Sequence, residues 1–105
     1  MQEIKDLAED IEEELCDAEK YADKAMKTKV KYPSLAANYL KLSIEEMGHA
    51  ALLHTEVVNM IEEYRKEHGD PPERMLGRYD YIHEKFIEKS NHIKALQIIL
   101  KGDIK

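Results

Sequence analysis

The stretch Ser34–Glu67, SLAANYLKLSIEEMGHAALLHTEVVNMIEEYRKE, decides the fold. Leu35, Ala36, Tyr39, Leu40, Ser43, Met47, Ala50, His54, Val57, Val58, Ile61 and Tyr64 recur at steps of three and four. One face of a 3.6-residue helix has that spacing, so these residues are expected to be buried. Lys41, Glu45, Glu63 and Lys66 fall on the opposite, solvated face. With about 1.5 Å of rise per residue, the helix spans roughly 50 Å, too long to bury its apolar stripe without partners.

Both neighbours of this helix are marked by punctuation. In Tyr32-Pro33-Ser34, proline is tolerated only at a helix opening and Ser34 has the side chain of a cap. In His68-Gly69-Asp70-Pro71-Pro72-Glu73, Gly69 suits a closing residue, and Asp70 with Glu73 has capping-box spacing around Pro71. Upstream, Ile4, Leu7, Ala8, Ile11, Leu15, Ala18, Ala22, Ala25 and Met26 form a second helical stripe, followed by Lys24, Lys27, Lys29 and Lys31 near the negative pole of the helix dipole. Downstream, Met75, Tyr79, Ile82, His83, Phe86, Ser90, Ile93, Gln97 and Leu100 form a third, with Gly102 to end it. The expectation is an all-α chain: a single helical domain over residues 1–105, with helices at about 2–29, 34–67 and 71–101. Two of them form a long antiparallel hairpin, and the third, whose stripe is rich in polar residues, packs partly on another subunit.

The composition agrees. At 105 residues there is material for one core, and 4 glycines and 3 prolines leave little for a strand-rich fold with many turns. A formal charge of −6 disfavours nucleic acid and anionic membrane and favours cations as small partners. Charges interrupt every apolar run well before the roughly 18 residues of a membrane span. The lone Cys16 allows no internal disulfide and the first residues lack a basic, then apolar, leader, so a cytoplasmic protein is expected.

Chemistry is concentrated at Glu46-Met47-Gly48-His49. A carboxylate and an imidazole three residues apart project from the same side of a helix and can hold one metal ion. Glu46 falls near Leu42, Leu53 and Val57, where a carboxylate is costly unless protonated, bonded or metal-bound. On helix one, Glu14 lies between Ile11 and Ala18 at the edge of the apolar stripe, and Tyr21 follows one heptad later. Gly48 removes bulk beside His49, at a helix-propensity cost of roughly 1 kcal/mol relative to Ala. Asp80 and His83 repeat the carboxylate-x-x-His spacing on helix three, with Asp80 turned from Tyr79 and Phe86. His54 reads as a hydrogen-bonded core histidine, Cys16 as an inert thiol on the polar side, and Met26, Met47, Met60 and Met75 as core filling.

Glu13-Glu14-Leu15 with Tyr21, followed by Glu46-x-x-His49-Ala50 on the next helix, resembles the ferritin-like superfamily, in particular the short encapsulated ferritins and the first half of rubrerythrin. The resemblance extends from about Glu13 to Leu53. It implies a helical hairpin whose ferritin-like bundle is completed by dimerisation, with a di-iron or dimanganese centre between two chains and ferroxidase or peroxide-consuming activity. Carried over by position, Glu14 is the helix-one metal ligand, Glu46 the bridging carboxylate, His49 the terminal imidazole and Tyr21 a supporting phenol. Rubrerythrin's four-thiolate iron module does not carry over, since one cysteine cannot supply it. The partners implied are a second copy and metal ions, with neither nucleic acid nor membrane. The competing expectation is a non-catalytic helical assembly or adaptor protein, which shares the shape without the metal chemistry.

Overall fold

In the computed structural model, which describes residues 2–104, the chain is all-helical: α1 (Gln2–Thr28), α2 (Pro33–His68) and α3 (Glu73–Asp103). The 36 residues of α2 correspond to about 54 Å of helix. The molecule is accordingly a rod of 56 × 17 × 17 Å. α1 and α2 form the expected antiparallel hairpin. α3 runs back alongside α1, and Lys29 Nζ, just past the end of α1, meets Asp103 Oδ2 at the end of α3 at 2.6 Å. No helix among the described residues is long and apolar enough to cross a membrane.

The breaks fall where Pro and Gly require them, but the caps differ from expectation. Pro33 opens α2 after Tyr32, whose carbonyl accepts from the Ala36 N–H at 2.9 Å; Ser34 lies inside the helix and makes no cap bond. Gly69 closes α2 at φ 81°, donating its N–H to the Arg65 carbonyl at 3.0 Å. The capping box at Asp70 and Glu73 does not form. Two consecutive prolines hold the backbone extended through Pro72 (φ −58°, ψ 151°), so α3 begins at Glu73 rather than at 71, and the Pro72 carbonyl accepts from Met75 and Leu76. Gly102 remains within α3, which continues to Asp103.

The interior consists of two apolar clusters in series. The first joins Ile4, Ile11, Leu15 and Ala18 to Met47, Ala50, Val57, Ile61, Ile82 and Ile93; the second joins Ala22, Ala25, Ala36, Leu40 and Leu100. Ala18, Ala22, Ala25, Ala36 and Ala50 are wholly buried. Such small side chains on facing ridges let two helices approach closely. A polar layer lies between the clusters: buried Ser43 donates its hydroxyl to the Ala18 carbonyl at 2.7 Å, and Gln97 Nε2 donates to Ser43 Oγ at 3.0 Å. This accounts for one polar residue in the α3 stripe without another subunit. Ser90 Oγ is also buried, and no partner reaches it among the described residues.

Leu35 departs from its expected burial, at 43% exposed, and Leu42 one heptad on is 38% exposed. Ser43 faces α3 through Gln97. At about 100° per residue, Glu46 and His49 lie roughly 60° and 120° around α2 from Ser43, on the side that also carries Leu35 and Leu42. The hairpin thus has two seams: α3 covers one, and the other is open.

Candidate metal centre

The open seam brings together three of the four residues singled out in the sequence. Glu14 of α1 and Glu46 and His49 of α2 each present a ligand atom, and these atoms all lie within 4.8 Å of one another. His49 Nδ1 is 3.3 Å from Glu14 Oε2 and 3.7 Å from Glu46 Oε2. Glu46 and His49 share a face because they are three residues apart; Glu14 joins them because the alanine seam sets the register of α1 against α2. The His49 side chain is 58% exposed while Glu14 and Glu46 are 28% and 21% exposed, so the carboxylates form the floor and the imidazole the open edge.

The electrostatics of the cluster are those of two acids in one place. Glu46 is raised above the usual carboxylate range, first by hydrogen bonding with Glu14, then by burial, then by the negative charge of Glu14; His49 pulls the other way. A divalent cation between the carboxylates would relieve that strain. Oxygen and imidazole ligands at about 2.0–2.2 Å from one ion lie roughly 3 Å apart, so small side-chain movements bring the three atoms onto a common ion. Hard carboxylate oxygens with one imidazole fit iron or manganese. Among the described residues no other group of three histidine, cysteine or acidic side chains meets in this way.

Tyr21 borders the same seam, one heptad from Glu14. Its ring stacks on Tyr39 with centroids 6.1 Å apart, the Lys20 ammonium lies 5.0 Å from its centroid, and it makes no side-chain hydrogen bond to the three ligand candidates. Asp80 is exposed and joins no such group, while Cys16 is exposed as expected.

His54 is only half-buried and meets His83 across α2 and α3, with 3.0 Å between His54 Nε2 and His83 Nδ1. The sequence places His54 in the core with a hydrogen bond; the hydrogen bond forms, but the side chain sits at the edge of the core, and its partner was not legible because 29 residues and a turn separate the two. His92 and Glu19 likewise meet, at 3.3 Å between α3 and α1, with no local sequence signal. Comparison with family models, with curated proteins and with solved structures finds no match to this chain.

Proposed function

We propose that this protein is a ferritin-like metal-binding protein in which two copies complete a di-metal centre of iron or manganese that oxidises Fe(II) or consumes peroxide. The convergence of Glu14, Glu46 and His49 carries the reading. A ferritin-like centre takes a Glu from each of two helices and a Glu-x-x-His from each of two more. One chain offers one of each, and a two-fold axis along the open seam doubles the set. Exposed Leu42, one turn from Glu46, and Leu35, two turns further along the same face, give a second copy apolar surface to cover.

Within each copy Glu14, Glu46 and His49 would hold the metal, Glu14 and His49 as terminal ligands and Glu46, the least exposed of the three, as the bridging carboxylate. When bound, the two metals would supply electrons in pairs to oxygen or peroxide. The protein's part is to fix the donors; bound cations would then hold Glu46 in its carboxylate form against burial and the neighbouring Glu14. Tyr21, whose ring is held on Tyr39, would support the ligand shell.

The test is growth of ferric absorbance when anaerobic protein carrying two Fe(II) per dimer meets air or peroxide. Wild type should oxidise iron faster than buffer, Glu46→Ala should not, and Tyr21→Phe should only slow the reaction. Oxidation at the buffer rate by wild type refutes the ferroxidase reading and leaves the assembly-module reading in its place.

A further inference from the structure

We propose that His54 and His83 form a second, separate metal site, a two-imidazole chelate for a borderline-soft divalent cation such as Cu(II) or Zn(II). The two ring nitrogens stand 3.0 Å apart, one from α2 and one from α3. Two nitrogens bound at about 2.0 Å to one ion are roughly 2.8 Å apart at a right angle and roughly 3.3 Å apart in a tetrahedron, so the observed separation lies between the two geometries. The Irving–Williams order and the right-angle geometry both favour Cu(II).

The rings are held in place. His54 stacks on Phe86 with centroids 4.4 Å apart and planes at 16°, and His83 stacks on Tyr79 with centroids 5.8 Å apart and planes at 13°. Tyr79, His83 and Phe86 are four and three residues apart on α3, so the same helix face supplies one ligand and both aromatic walls. Packing of this kind removes much of the ordering cost of binding. In the metal-free chain one ring donates its N–H to the other across this contact; on metal binding that ring carries its proton on its other nitrogen, so both facing nitrogens offer a lone pair without net proton release.

The chemistry differs from that of the carboxylate cluster. No acid joins His54 and His83 in a group of three among the described residues, and water would complete the coordination. Of the remaining histidines, His49, His68 and His92 each pair with a glutamate rather than with a second imidazole.

The experiment titrates Cu(II), buffered by glycine, into a Glu46→Ala/His49→Ala background that lacks the carboxylate cluster. Electron paramagnetic resonance counts nitrogen donors, and circular dichroism follows the fold. One Cu(II) per chain with two imidazole nitrogens is expected. Adding His83→Phe, at an exposed position, should weaken binding at least about tenfold and leave at most one nitrogen without changing the helical signal. His54→Phe, which retains a ring against Phe86, should do the same. The proposal is overturned by equal affinity and equal spectra with and without these substitutions, or by a background that binds Cu(II) through fewer than two nitrogens. Because the background has already lost Glu46 and His49, neither result bears on the di-metal reading.

Discussion

Ser43→Ala tests the polar layer that locks the three helices in register. Ser43 is wholly buried and uses its oxygen twice, donating to the Ala18 carbonyl and accepting from Gln97. Alanine removes both bonds and leaves the Gln97 amide buried, at 7% exposure, with a donor it cannot turn to water. A buried polar group left without its partner costs about 1–3 kcal/mol, so a loss of roughly 2 kcal/mol is expected. For a domain of this size each kcal/mol moves the melting temperature by about 4–8 °C, so the variant should melt roughly 8–16 °C lower. Gln97→Leu alone should be mild, because Ser43 still donates to Ala18. The double variant Ser43→Ala/Gln97→Leu should recover most of the loss, since both partners are then apolar and nothing is orphaned. Calorimetry in the presence of chelator, with urea unfolding as a second measure, gives the three values. A Ser43→Ala variant that melts within about 2 °C of wild type, or a double variant no more stable than Ser43→Ala, refutes the argument.

Glu46→Gln should stabilise the metal-free protein at neutral pH. A carboxyl whose folded pKa is raised holds its proton better in the native state, so its contribution is complete below the ordinary carboxylate value and is lost as pH rises through the raised one. The gain over wild type should therefore shrink towards zero in urea titrations below pH 4, and an unchanged gain at low pH would contradict this origin. Saturating Mn(II) or anaerobic Fe(II) should raise the melting temperature of wild type but not of Glu46→Ala, by linkage to the assembled state; identical curves with metal and chelator would speak for the assembly-module reading. Light scattering at micromolar concentration should give a dimer or larger, and a strict monomer in the presence of metal would rule out a shared centre. Gly48→Ala should raise the stability of the single chain by about 1 kcal/mol, since a Cβ there meets nothing within 4 Å; if a second copy covers the seam beside His49, the same substitution should weaken association by light scattering.

The amino-acid sequence determined by itself what depends on neighbours a few residues apart. Helical periodicity placed the three elements, Pro33 and Gly69 set their boundaries to within a residue or two, and three-residue spacing put Glu46 and His49 on one face, because a helix of fixed pitch turns sequence separation directly into direction. The start of α3 was misread because capping-box spacing at Asp70 and Glu73 competed with the extended backbone that Pro71 and Pro72 impose. Everything that crosses between helices awaited the tertiary structure. Glu14 was legible as a residue at the edge of a stripe, but its distance of 3.3 Å to His49 follows from how the alanine seam slides α1 along α2. The meeting of His54 with His83, the bond from Gln97 to Ser43 and the exposure of Leu35 have the same origin. An apolar stripe specifies that a face is buried, whereas the register and the choice of covered seam depend on side-chain packing summed over helices far apart in the chain.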